Sequence, residues 1–150
     1  MAGIREFGVM FGKYRMIIEK RNPSTSEYLY LRNKVGWGDK EKEVTEKALN
    51  SSLYSVVAIE SDQVIGMGRI IGDGGLYYYI QDLIVHPDYQ NKGIGKRLMK
   101  ELMNYIDEHA ASGSFIGLMS ATGYYRFYES FGFKARDINA PGMFTVIKKT

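Results

Sequence analysis

The sequence QDLIVHPDYQNKGIGKRLM, residues 81–99, changes its hydrophobic period near its middle. Up to Val85 it continues a run, residues 76–85, that is rich in β-branched and aromatic side chains, which is typical of a strand. After Lys92 apolar residues recur at every fourth position, which predicts one face of a helix ending near Gly113. These apolar residues are Ile94, Leu98, Leu102 and Ile106. A strand, a glycine-containing loop and a helix are therefore predicted in succession.

The segments on either side of this stretch predict an α/β (α+β) fold. The predicted helices outside it are residues 24–35, 39–49 and 122–130, and the predicted strands are residues 54–59, 64–71, 114–119 and 143–147. The strands before residue 86 are joined by short turns, which indicates an antiparallel meander. The later strand–helix–strand order indicates a parallel pair. We therefore predict a single domain with a mixed, mostly antiparallel sheet flanked by helices.

Length and composition fit one domain, since the chain has 150 residues of which 45% are apolar and 25% charged. Residues 1–15 have the scattered charge of a leader or tag-like segment, so we place the domain at residues 16–150. No apolar run approaches the roughly 18 residues of a membrane-spanning helix. The chain has no cysteine, and neither His86 nor His109 has metal-ligand spacing. We predict no metal, no membrane association and a cytoplasmic location.

Residues 90–96, QNKGIGK, which we call the glycine loop, join the predicted strand to the predicted helix. Free backbone N–H groups and the positive end of a helix can hold an anion at such a junction. The helix carries basic residues at its start and acidic residues at its end, the reverse of the order that the helix dipole favours. A bound polyanion explains this order, although a tight turn on a solvated surface is an alternative. The spacing matches neither a P-loop nor a Rossmann fingerprint.

Two motifs carry a family resemblance. Residues 81–99 resemble the coenzyme A signature of the GNAT N-acetyltransferase superfamily, whose core, Q/R-x-x-G-x-G/A, begins here at Gln90. Residues 127–133, FYESFGF, resemble the F-Y-E-x-x-G-F segment of the same superfamily. Many members carry Asn and Ala where Ala121 and Tyr124 stand here. The resemblance implies an acetyl-CoA-dependent N-acetyltransferase that transfers the acetyl group directly to a primary amine.

The resemblance also implies how coenzyme A is bound. Two parallel strands would splay apart, with pantetheine in the gap and paired to the backbone of Ile84 and Val85. Gln90 would shape the glycine loop. The pyrophosphate would accept hydrogen bonds from the backbone amides of Asn91, Lys92, Gly93, Ile94, Gly95 and Lys96.

The chemistry of amine acetylation requires a proton acceptor, because an amine with a pKa near 10.4 is neutral in only about 1 molecule in 2,500 at pH 7. We predict Asp82 as this base, with a water path and an ion pair of Asp82 with Arg69 as the alternatives. His86 is a weaker candidate because its loop is expected to face solvent. The resemblance implies that Tyr128 is the acid that protonates the leaving thiolate; its alternative role is aromatic core.

Trp37 lies between two glycines in the loop that joins the first two predicted helices, so it could line the acceptor pocket or anchor that loop. The acceptor is expected to be a small-molecule or peptide amine. A homodimer is a possible assembly of the protein. A non-catalytic acyl-CoA-binding or regulatory module is the alternative function. Nucleic-acid binding is disfavoured because the basic residues cluster at one loop.

Overall fold

The computed structural model describes residues 5–11 and 14–150, and describes side chains from residue 16 onward. Two compact units are distinguished, the first ending at Leu118 and the second covering Met119–Thr150. The strands are β1 Arg5–Phe11, β2 Tyr14–Lys20, β3 Tyr54–Glu60, β4 Gln63–Gly72, β5 Tyr77–Val85 and β6 Phe115–Leu118. The helices are α1 Thr25–Lys34, α2 Lys42–Asn50, α3 Ile94–His109 and α4 Tyr125–Glu129.

The first unit contains one mixed sheet in the order β1-β2-β3-β4-β5-β6. Neighbouring strands from β1 to β5 are antiparallel, and β5 and β6 are parallel. This sheet and its flanking helices confirm the predicted fold class. No helix among the described residues is long and apolar enough to cross a bilayer.

Helices α1 and α2 cover one face of the sheet. A capping box starts α1, because the Ser24 hydroxyl accepts from the Glu27 N–H while the Glu27 carboxylate accepts from the Ser24 N–H. The buried residues of this face form one cluster, which includes Tyr28, Leu31, Leu49, Val57, Met67 and Ile84. Apolar burial therefore fixes α1 against the strands that carry the predicted site.

Helix α3 packs on β4 through two glycines. Its predicted apolar stripe is buried as expected. A Cβ atom added at Gly68 would lie 2.8 Å from Leu102 Cδ1, and one added at Gly66 would lie 3.1 Å from Leu98 Cδ1. A side chain at either position would therefore crowd the leucines of α3, and one at Gly66 would also crowd the Ile84 carbonyl oxygen.

Two predictions for the second unit need correction. Residues 143–147 form no strand, and Met143, Phe144, Val146 and Ile147 are exposed. Their β propensity is not enough, because a strand needs a hydrogen-bonded neighbour. The helix predicted at residues 122–130 is shorter, because Gly123 has a φ of 86° and the chain becomes helical only at Tyr125.

The domain boundary at residue 16 stays a prediction. The leader-like segment falls partly on residues 1–4, 12 and 13, which lie outside the described residues. Within it, Arg5–Phe11 forms β1 and pairs with β2.

Candidate functional site

The candidate site begins where β5 extends beyond the end of its parallel neighbour β6. Register pairs join Tyr77–Ile80 of β5 to Phe115–Leu118 of β6. β5 continues to Val85, and residues 81–85 have no strand partner on the β6 side among the described residues. The two parallel strands thus leave an open backbone edge at the carboxyl end of β5, the end of parallel strands at which ligands commonly bind.

At Val85 the backbone points towards that open edge. Opposite pairs in an antiparallel ladder alternate between hydrogen-bonded and non-hydrogen-bonded. The His86 N–H donates to the Ile65 carbonyl at 2.7 Å, and the next pair along is Gly66 with Val85. The N–H and C=O of Val85 therefore face away from β4, whereas the following pair, Met67 with Ile84, is hydrogen-bonded.

The glycine loop is tied to this end of β5. Gln90 Nε2 donates to the Val85 carbonyl oxygen at 3.0 Å, so the carbonyl is occupied and the N–H is left on the open side. Asn91 and Gly93 both adopt a left-handed conformation, with φ of 63° and 81°. Glycine adopts this conformation without strain, so the loop turns sharply into the helix at Gly93.

The start of α3 has the features of an anion site. Gly93 is its N-cap and supplies no side-chain hydrogen bond, so the first backbone N–H groups are not capped by a side chain. The first turn has no acidic residue and carries the exposed Lys96. Lys92 lies 5.4 Å from the centre of the Tyr89 ring. A phosphate here would meet backbone donors, the helix dipole and cations together.

Asp82 lies inside a β-bulge. Arg69 pairs with Gln81 and Met67 with Ile84, so Asp82 and Leu83 together face the single residue Gly68. Asp82 has a φ of 54°, which is unusual for a residue other than glycine. Leu83 lies near Gly68, on the α3 side of the sheet, whereas Asp82 contacts α1.

The Asp82 carboxylate is buried and accepts three hydrogen bonds. Its Oδ2 accepts from Tyr28 Oη and from Arg69 Nε, each at 2.8 Å, and its Oδ1 accepts from Gln81 Nε2 at 3.1 Å. We call these four residues the Asp82 network. Burial and the Asp82 charge raise the pKa of Tyr28, which keeps its hydroxyl protonated. The ion pair with Arg69 is therefore observed, and the base role stays a prediction.

Trp37 is part of a loop that Arg32 holds. The Arg32 guanidinium donates to the carbonyls of Trp37 and Gly38, each at 3.0 Å, and lies 5.8 Å from the indole. Trp37 is 43% exposed. Arg32 also approaches the Tyr28 hydroxyl at 3.4 Å. The loop predicted to contact the acceptor is thus linked to the Asp82 network.

Tyr128 belongs to the second unit. It is half-buried on α4 and packs edge-on against Phe127 and near Phe133. Burial raises the pKa of Tyr128, with a smaller contribution from Tyr124. The hydroxyl is therefore protonated at neutral pH, as a proton donor must be.

Sequence reasoning misplaced or missed several residues around the site. His86, expected to face solvent, is buried between the rings of Tyr30 and Tyr89, and its Nδ1 accepts from the Asp88 N–H. Tyr28 and Arg32 were not predicted as site residues. Their spacing on α1 put them on one face, but no local signal links Tyr28 to a carboxylate 54 residues away. Among the described residues no group of His, Asp and Glu could hold a metal; the absence of a metal site stays a prediction.

Comparison with known proteins adds a family match. The profile of the acetyltransferase (GNAT) domain matches residues 37–144. The uncharacterized N-acetyltransferase ycf52 of Porphyra purpurea is 29% identical over 128 residues, which are 83% of this chain and 72% of that protein.

Solved structures show the same likeness. A protein of unknown function from meticillin-resistant Staphylococcus aureus, described as a probable acetyltransferase, is 30% identical with a TM-score of 0.83, and the match covers 88% of this chain and 99% of that one. A GNAT family acetyltransferase from Brucella melitensis in complex with acetyl-CoA is 28% identical with a TM-score of 0.58, over 80% of this chain and 83% of that one.

Proposed function

The chain belongs to the GNAT acetyltransferase family and is an acetyltransferase, and we propose that it moves an acetyl group directly from acetyl-CoA to a primary amine. The observation that carries this proposal is the junction of β5 with α3. There an open backbone edge at Val85 adjoins an uncapped, basic helix start. A thioester with a pyrophosphate tail fits both parts of this junction.

Acetyl-CoA binding is supported by the chemistry of the groups present. Backbone amides from Asn91 to Lys96 would hold the pyrophosphate. Gly93 has no Cβ that would block a phosphate from the backbone, and the first turn of α3 has no acidic residue to repel it. The Val85 carbonyl oxygen, which keeps a second lone pair beside its bond from Gln90, would accept from a pantetheine amide. Ile84 contributes less than expected, since its own backbone groups pair with Met67 across the ladder. Bound acetyl-CoA supplies the activated acyl group.

The Val85 N–H is the group we assign to the thioester carbonyl oxygen. It faces the open edge, and the Gln90 amide already satisfies the neighbouring carbonyl. A fixed N–H that meets the oxygen as its charge increases stabilises the transition state, and removing one such donor costs about 10²–10³-fold in rate. Holding the amine beside the thioester supplies the rest of the acceleration.

For the amine proton we favour a water path over Asp82. Both carboxylate oxygens of Asp82 already accept hydrogen bonds, and its side chain is 1% exposed. A base must reach the proton that it removes, directly or through one water. Buried among these three donors, the Asp82 carboxylate is poorly placed for such contact.

Tyr128 is the acid that we propose for the departing thiolate. A phenol with an ordinary pKa near 10 is protonated at neutral pH, and burial raises the pKa of Tyr128 further. Because the chain has no cysteine, an acyl-cysteine intermediate is excluded, and direct transfer is the simpler path. We propose that Trp37 contacts the acceptor, a small-molecule or peptide amine, since its indole is exposed on a loop that Arg32 holds.

The test is a thermal-shift titration with acetyl-CoA, combined with a free-thiol assay across a panel of small amines, amino acids, aminoglycosides and peptides. We expect a rise in melting temperature with acetyl-CoA and thiol release with at least one amine. A shift without release from any amine would favour the non-catalytic binding module. No shift with acetyl-CoA would overturn the proposal, and stronger salt-dependent retention on DNA or RNA would favour a nucleic-acid role.

A further inference from the structure

The left-handed backbone conformation of Asp82 is energetically unfavourable. Bulges of this kind commonly place glycine at the left-handed position. An L-residue there pays roughly 1–2 kcal/mol, although Asp tolerates the conformation better than most. Asp82, at φ 54°, is the only described residue in the interior of a strand other than glycine with a positive φ. Some other interaction must favour Asp at this position.

That interaction is the Asp82 network. Tyr28 reaches the carboxylate from α1, and Arg69 reaches it from β4. Arg69 is itself anchored by the Ala48 carbonyl and the Ser52 hydroxyl, each at 3.2 Å. The Arg69 and Asp82 side chains are 11% and 1% exposed, so the Asp82 carboxylate is shielded from bulk water. The carboxylate is therefore fixed from two elements besides its own strand.

The bulge decides which backbone group faces the open edge of β5. With the bulge, Gly66 lies opposite Val85 and the Val85 N–H points away from β4. If the register of Arg69 with Gln81 continued without the bulge, Gly66 would lie opposite Ile84. Because hydrogen-bonded and non-hydrogen-bonded pairs alternate, the Ile84 N–H would then face the open edge, and the Val85 N–H would face β4.

We propose that Tyr28 and Arg69 are positioning residues for acetyl transfer, which hold Asp82 in its left-handed conformation and thereby keep the Val85 N–H directed at the thioester. This inference rests on the proposed function of Val85. It assigns Asp82 to orienting the donor, through the backbone, in place of accepting the amine proton.

The test compares four variants by acetyl-CoA affinity, measured calorimetrically, and by kcat with the amine that the wild type acetylates. Asp82→Asn keeps a side chain that tolerates the left-handed region and accepts hydrogen bonds, whereas Asp82→Ala has neither property. Tyr28→Phe removes one hydrogen bond to Asp82 and keeps the ring. Tyr30→Phe is the matched control, because it removes a hydroxyl from the same helix that contacts Gln63 instead.

We expect Asp82→Ala to lose about 100-fold in kcat and to bind acetyl-CoA more weakly, because the donor is misplaced. Asp82→Asn should stay within about ten-fold of the wild type, with the same pH dependence, because the bulge is kept. Tyr28→Phe should lose about ten-fold in kcat, with the acceptor KM little changed, and Tyr30→Phe should match the wild type.

Two results would overturn the inference. If Asp82→Asn is as inactive as Asp82→Ala and loses one limb of the pH–rate profile, the carboxylate is the base. If Tyr28→Phe behaves as Tyr30→Phe does, the network is not needed, and this comparison stands even if Asp82→Ala fails to fold. If the wild type binds acetyl-CoA but acetylates no amine, the proposed function fails, and the acetyl-CoA affinity of Asp82→Ala against that of Asp82→Asn still decides whether the bulge directs the Val85 N–H at the thioester.

Discussion

The side-chain amide of Gln90 donates to the backbone carbonyl of Val85 at 3.0 Å, which joins the glycine loop to the end of β5. We predict that Gln90→Glu weakens acetyl-CoA binding by about ten-fold or more, because a carboxylate cannot donate to the carbonyl and repels a nearby pyrophosphate. Calorimetry measures the change. Gln63→Glu is the control for the added charge, since Gln63 contacts Tyr30 on α1. Equal affinities for the two variants would contradict the role of Gln90.

Gly93 and Gly113 form a natural pair for testing the loop. Their φ values are 81° and 85°, and an added Cβ would meet no atom within 4 Å at either position. Alanine at each should therefore cost a similar amount of folding free energy, about 1–2 kcal/mol. Only Gly93→Ala should lower acetyl-CoA affinity, because only Gly93 lies at the start of α3. Denaturant unfolding and calorimetry separate the two effects, and a comparable loss of affinity in Gly113→Ala would show that the effect is general.

Tyr128→Phe tests the proposed acid. We predict a fall in kcat of about 10²–10⁴-fold with acetyl-CoA affinity unchanged. Because burial raises the pKa of Tyr128 above its ordinary value near 10, the phenol loses its proton, and the wild-type rate declines, only above that pH. The pH–rate profile of Tyr128→Phe should lack this alkaline limb. An unchanged kcat across several amines would assign Tyr128 to the aromatic core.

Trp37→Ala should raise the acceptor KM by about ten-fold and leave the acetyl-CoA KM unchanged, because the lost contact is apolar and lies on the acceptor side. The matched control is Val44→Ala, which removes an exposed apolar side chain from α2. Steady-state kinetics with each substrate varied in turn give both constants. A rise in the acetyl-CoA KM alone would indicate that Trp37 contacts acetyl-CoA and not the acceptor.

Ser55 offers a prediction about stability. Its hydroxyl is buried and has no hydrogen-bond partner among the described residues. Ser55→Ala should raise the free energy of unfolding by about 1 kcal/mol, because burying an unpaired polar group is unfavourable. Ser52→Ala should lower it, since the Ser52 hydroxyl accepts from Arg69. Thermal denaturation of both variants provides the comparison.

Structural features that depend on neighbouring residues were predicted correctly from the sequence. The buried stripe of α3 follows from a four-residue period, and the start of α1 near Ser24 follows from a residue type that favours helix N-termini. The position of the glycine loop between strand and helix follows from the same period change. These features depend on neighbours within a few positions, which the sequence displays directly.

Features that depend on distant partners were not predicted. The left-handed backbone at Asp82 is selected by contacts from Tyr28 and Arg69, neither of which is adjacent in sequence. Residues 143–147 have strand-like composition, yet strand formation is decided by a partner that composition does not specify. The base role of Asp82, the cytoplasmic location and the homodimer stay predictions.

Leu98 and Leu102 rest on Gly66 and Gly68, so the height of α3 above the sheet is set by two missing side chains. The glycine loop leads directly into α3, and a packed helix shifts largely as a unit when the surface beneath it is changed. A methyl group introduced at Gly66 or Gly68 would thus move the cofactor-facing amides without altering any residue that contacts the ligand. Coenzyme A affinity can therefore be tuned from the interior of the protein, by substitutions at buried positions that do not contact the ligand.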